Sequence, residues 1–172
     1  MFEKGEYVVY GTNGPCLVEE ITKLKMPGCD ARRKYYVLRP VTTNKSVIYS
    51  PVDNEKVVMR KVATREEAAE LLREIPSIAE ASVENEKLRE ATYKSIMKES
   101  DLCKWVGMIK MLLSRRKIRE SQGSKFTSID ERYLKEAEEL LDSELCLALG
   151  EDRDTVRKML ADTLTDAAKQ NA

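Results

Sequence analysis

The sequence predicts an α+β fold: a small β-barrel in the first third and an all-α domain of about four to five helices behind it. Three observations carry this. Val8, Tyr10, Cys16 and Val18 fall at alternate positions around Gly11-Thr12-Asn13-Gly14, the period of half-buried strands about a glycine-rich turn. Short β-prone segments with tight turns recur through residue 62, the spacing of a small barrel. From residue 63 onward the chain reads as helix, with capping boxes at Thr64 and Ser128.

Taken in order, the predicted strands are 7–10, 16–25, 34–40, 46–50 and 57–60. Met26-Pro27-Gly28-Cys29-Asp30 separates the second from the third, because Pro, Gly and Asp punctuate strands. Thr42-Thr43-Asn44-Lys45 reads as a polar turn, and Pro51 stops the fourth strand. Thr64-Arg65-Glu66-Glu67 opens a helix that runs to about Ile75, where Pro76 ends it. Further helices are predicted over 83–99, over 101–120 with Asp101 as N-cap, over 128–149 with Gly150 as left-handed cap, and over 152–168.

The chain has 172 residues, no histidine, and four widely spaced cysteines, Cys16, Cys29, Cys103 and Cys146, without a Cys-x-x-Cys pair. The thiols therefore read as reduced, small apolar residues. Zinc ligand spacing, Ser-His and Cys-His nucleophiles and the HExxH arrangement are excluded by composition. No carboxylate or lysine cluster suggests other chemistry. The sequence thus predicts a binding protein, not an enzyme, with no metal and no cofactor. No run of 18 apolar residues exists to span a membrane, and Met-Phe-Glu-Lys-Gly lacks the apolar core of a signal peptide, so a cytoplasmic location is expected.

Net charge is zero but strongly patterned. Residues 1–62 hold 11 Lys/Arg and 7 Asp/Glu, residues 63–84 hold 2 and 6, residues 85–126 hold 11 and 5, and residues 127–172 hold 6 and 12. Positive charge therefore concentrates in the middle of the helical half. Lys87, Arg89 and Lys94 on one helix, and Lys104, Arg115, Arg116 and Lys117 on the next, are the candidate phosphate contacts. A solvated helix face is the other reading of such a run. Trp105 sits beside the apolar stripe Leu102, Val106, Ile109 and Leu113, which assigns it to the core in preference to a DNA wedge. In the β-half, Lys45-Ser46-Val47-Ile48-Tyr49-Ser50 is a candidate edge strand, able to pair with a partner's strand or merely protected by its lysine.

At this point a resemblance appears. Phe2-Glu3-Lys4-Gly5-Glu6-Tyr7-Val8-Val9-Tyr10, Gly14 and Val18-Glu19-Glu20-Ile21 resemble the opening of the CarD/CdnL family of bacterial transcription regulators. Tyr36-Val37-Leu38 and Ile48-Tyr49-Ser50-Pro51-Val52-Asp53-Asn54 fit the same pattern. Ser100-Asp101-Leu102, Ser114-Arg115-Arg116, and Ser128 with Leu134, Ala137 and Leu140 are similar to that family's helical half. Transcription-repair coupling factors share the opening motif, but they continue into a helicase motor, and this chain has no phosphate-binding loop.

The resemblance implies a Tudor-like barrel over 1–62 that binds the RNA polymerase β subunit by strand pairing with its β1 lobe. It implies a helical domain over 63–172 that contacts promoter DNA at the upstream edge of the melted bubble and alters open-complex stability. By position, Val47, Ile48 and Tyr49 fall on the polymerase-contacting strand, and Lys23 and Lys25 are further polymerase contacts. The family's wedge tryptophan aligns with Glu84-Asn85-Glu86-Lys87-Leu88, where no aromatic residue stands, and the wedge role does not pass to Trp105. A protein adaptor on polymerase without DNA contact is the alternative, and the acidic last third keeps it open.

Overall fold

The glycine-rich turn after the first strand becomes a 3₁₀ turn, Gly11–Asn13, and the chain on both sides pairs antiparallel as the alternation requires. The computed structural model describes residues 1–42 and 46–170. It divides into two units, Met1–Val62 and Ala63–Ala172.

The first unit holds β1 (Tyr7–Tyr10), β2 (Pro15–Lys23), β3 (Lys34–Pro40), β4 (Ile48–Pro51) and β5 (Met59–Lys61). They form one antiparallel sheet in the order β4-β3-β2-β1-β5. Val8, Tyr10, Cys16, Val18, Tyr36 and Leu38 make its core, and Ile48 from β4 and Met59 from β5 pack against the same cluster. All five strands thus turn one face toward a common interior, although among the described residues the ladder stays open between β4 and β5. The Asn54 amide donates to Tyr10 Oη and Ser50 Oγ, both at 3.2 Å, and so ties the end of β4 to β1.

Several predicted strand limits shift. β2 stops at Lys23, which leaves Lys25 in the following loop, and a bulge interrupts its pairing with β3 between Val18 and Glu20. β4 begins at Ile48, so Val47 precedes the strand, and β5 begins two residues later than expected. Most of the predicted polar turn, residues 43–45, lies outside the described residues.

The second unit holds α1 (Arg65–Glu74), α2 (Arg89–Glu99), α3 (Leu102–Ser121), α4 (Ser128–Leu149) and α5 (Arg153–Gln170). The Thr64 capping box forms in both directions, and Gly150 closes α4 in the left-handed conformation. At the start of α4 the cap is Thr127, not Ser128: its hydroxyl accepts from the Asp130 backbone N–H at 3.2 Å. α2 also starts later than its periodicity suggests. The Asn85 side chain accepts from Lys87 N–H at 3.0 Å and builds a 3₁₀ turn, Glu86–Leu88, ahead of the helix.

α3 is the axis of this unit. Its residues 105–112 are buried on every side, Trp105 included, so the predicted single stripe is a fully enclosed segment. The strap after α1 crosses it at Gly107. Ala81 N–H donates to Gly107 C=O at 3.0 Å, and a Cβ at position 107 would stand 2.8 Å from Ala79 O. Lys110 is buried beneath the same strap, and its ammonium donates to the carbonyls of Ile75, Pro76 and Ile78. These carbonyls cluster at a helix end, where a cation sits favourably, and that of Ile75 also accepts from the Ile78 N–H. Gly107→Ala should therefore lower unfolding free energy by about 1–3 kcal/mol, because the clash with backbone outweighs alanine's gain in helix propensity. Urea denaturation checks this, and an unchanged or raised midpoint refutes the close approach.

Candidate polymerase and nucleic-acid surfaces

The edge of the β-sheet can be read bond by bond. Among the described residues β4 pairs only with β3, through Leu38↔Ile48, Val37↔Tyr49, Tyr36↔Ser50 and Tyr35↔Pro51. Val52 N–H donates to Lys34 C=O at 3.0 Å. Antiparallel ladders alternate bonded and non-bonded pairs. Ser50 and Ile48 therefore turn their N–H and C=O groups toward β3, and Tyr49 turns both of its groups toward the open edge. Pro51 fits this phase, because its missing N–H falls on the unpaired side. The Tyr49 side chain points away from the core and is 41% exposed, and it neighbours Val37 across the ladder. Ile48 points inward and is a packing residue.

Lys23 and Lys25 are both exposed. Lys23 pairs in register with Lys34, at the end of β3 where Tyr35 meets Pro51 of β4. It lies two strand spacings, roughly 10 Å, from the open edge. With Arg32 nearby these lysines give that end of the sheet a positive charge. Arg33 is bound to Asp53 at 2.5 Å.

In the helical unit the predicted basic residues do not make one surface. Arg89 and Arg115 converge on Asp130, which is fully buried: Arg89 Nε lies 3.3 Å and Arg115 Nε 3.7 Å from its carboxylate. Tyr93 Oη donates to the same carboxylate at 2.9 Å. That contact comes second to burial in holding the Tyr93 phenol well above its ordinary pKa. Both remaining Arg115 nitrogens donate to Glu86, at 2.8 Å each, and its side chain is only 22% exposed. These bonds hold the Glu86 carboxyl below its usual pKa, with nearby charges that include Arg119 adding to the effect. The network pins α2, α3, α4 and the Glu86 turn together; its partners lie 15 to 41 residues apart in sequence.

The remaining basic residues scatter. Lys94 pairs with Glu90 at 3.3 Å, and Lys104 pairs with Glu99 at the far end of α3. Arg116 faces away from Arg115 and lies over the Phe126 ring at 4.9 Å. Lys87 and Lys117 are exposed and make no side-chain bond within the described residues. One apolar residue escaped the sequence reading: Leu88, at the end of the 3₁₀ turn between Lys87 and Arg89, is 59% exposed. Its place in the stretch aligned with the wedge tryptophan and its polar neighbours were the signals that could have marked it.

Among the described residues no group of three or more His, Cys, Asp or Glu could hold a metal ion, and no helix is long and apolar enough to cross a membrane. No curated protein matches the chain. Residues 2–63 match the CarD-like/TRCF RID domain, the segment that forms the open-edged sheet. The N-terminal unit is thus a domain of the CarD-like/TRCF RID kind, an RNA polymerase-interacting type of domain that points to a transcription-related protein.

Proposed function

We propose that the protein is a non-enzymatic transcription regulator that docks on the β1 lobe of the RNA polymerase β subunit and modulates the open promoter complex. The unpaired edge of β4 carries this reading. Strand addition supplies affinity through main-chain bonds, and the outward side chains, here Tyr49 and Val37, supply specificity. Lys23 and Lys25 add a positive field beside the seam, which favours an acidic patch on the lobe.

The helical unit then reaches DNA by a narrower route than the charge pattern implied. Arg89 and Arg115 hold the domain together, so the phosphate contacts fall to Lys87 and Lys117. Leu88 supports a shallow apolar contact at the bubble edge, since aliphatic side chains can wedge between base steps. An adaptor role without DNA contact is favoured by one observation: four of the seven candidate phosphate contacts, Arg89, Lys94, Lys104 and Arg115, already pair with carboxylates within the domain.

Promoter-complex lifetime at low salt separates the two. Lys87→Glu should shorten it about two- to fivefold, the worth of one exposed ionic contact. Leu88→Ala should shorten it at every salt concentration, because an apolar contact is not screened. If both variants match wild type while polymerase binding persists, the adaptor reading stands.

A further inference from the structure

The open edge of β4 does not run on past Tyr49. The next outward-facing groups belong to Pro51. Its nitrogen carries no hydrogen, and its C=O already accepts from the Asn54 N–H at 3.0 Å. The chain thus folds a turn, residues 51–54, across its own edge one ladder step beyond Tyr49.

That turn is tied down from several sides. Val52 N–H donates to Lys34 C=O at 3.0 Å, and Arg33 holds Asp53 at 2.5 Å, which fixes the turn beside the start of β3. The Asn54 amide donates to Ser50 Oγ and Tyr10 Oη, both on buried residues, and so grips β4 and β1 from the core side. The Asn54 side-chain carbonyl accepts from Lys56 N–H at 3.0 Å, an Asx turn that orients the amide.

An added strand needs donors and acceptors in step with the edge it joins. Opposite Tyr49 it finds both. Opposite Pro51 it finds no donor and an acceptor already in use, and the turn stands in its path. A strand shifted by two residues toward the turn keeps its side chains on the same faces but loses those bonds.

We infer that the 51–54 turn is a register stop, with Pro51 and Asn54 as positioning residues. It admits a partner strand only as far as Tyr49, and so sets the one alignment in which that strand adds. The inference rests on the strand-addition reading above. It requires a lobe strand that ends or turns away opposite Pro51, because backbone groups buried there without partners are costly.

The test is isotope-filtered NMR of the full chain bound to the isolated β1 lobe, read through the Tyr49 amide and α protons. In the native chain these protons should contact one site on the lobe strand, and Asp53 should contact none of it. Pro51→Val supplies an N–H on the open side and suits a strand. A second set of Tyr49 contacts, displaced by two residues along the lobe strand, should then appear. Pro51→Val combined with Asn54→Ala, which also loosens the turn, should strengthen the displaced set at the expense of the first. Pro51→Val alone keeps every Asn54 bond, and it decides the matter where the double variant loses its fold. One alignment retained in the variants, or contacts that reach Asp53 in the native chain, would overturn the stop and leave strand addition intact. A native complex without lobe contacts at Tyr49 would instead remove strand addition itself, and the stop with it.

Discussion

Tyr49→Pro is expected to weaken binding to an isolated β1 lobe at least tenfold, about 1.4 kcal/mol or more, and to leave the β-domain folded. Tyr49 directs its N–H away from β3, so proline removes a donor that no intrachain bond uses. Proline is tolerated in edge strands when its nitrogen faces the open side, and Pro51 already occupies the equivalent phase two residues on. A partner strand loses the bond it would make to that N–H, and the proline ring obstructs the seam. Ile48→Asp is not an equivalent probe: Ile48 packs against the core, and a buried unpaired charge unfolds domains by a separate route. A pull-down in which Tyr49→Pro binds like wild type, with an unchanged melting temperature, would reject strand addition at β4.

The second large effect is expected at Asp130. Asp130→Ala should lower the unfolding free energy of the helical unit by about 3 kcal/mol, the lower end for removing one partner of a buried ion pair. The lower end applies because Arg115 keeps its two bonds to Glu86 and both arginines reach solvent in part. Tyr93, fully buried, loses the acceptor for its hydroxyl. The α4 N-terminus also loses a carboxylate from its first turn, where the helix dipole favours one. Chemical denaturation measures the change. A loss below about 1 kcal/mol, the worth of an exposed pair, would show that the arginines do not depend on this carboxylate.

What the sequence made legible is what depends on neighbours in the chain. The period of 2 around Gly11 and Gly14, the capping box at Thr64, the Asp101 cap and the Gly150 stop are local signals, and each appears where it was read. Trp105 reads as core because its helix neighbours are apolar. The edge position of β4 was legible as a possibility only, through Pro51; which strand lacks a partner depends on the pairing order. The pairing within the basic helices was not legible for the same reason. Arg115 is locally part of an Arg-Arg-Lys run, but its partner Glu86 is 29 residues away, on a turn created by the Asn85 side chain. Lys110 looks like a surface cation within α3, yet the strap after α1 buries it. At the start of α4 both Thr127 and Ser128 could cap. The structure uses Thr127, which places Asp130 in the first turn, where Tyr93 and Arg89 meet it.

Amide hydrogen exchange at Tyr49, measured in the free protein and in complex with the β1 lobe, tests the main claim most directly. An N–H facing an open edge should exchange quickly in the free chain, while its neighbour Ser50, bonded to β3, exchanges slowly. On complex formation the Tyr49 amide should become protected to the level of Ser50. Protection of Tyr49 already present in the free protein, or no gain on binding, would contradict the account.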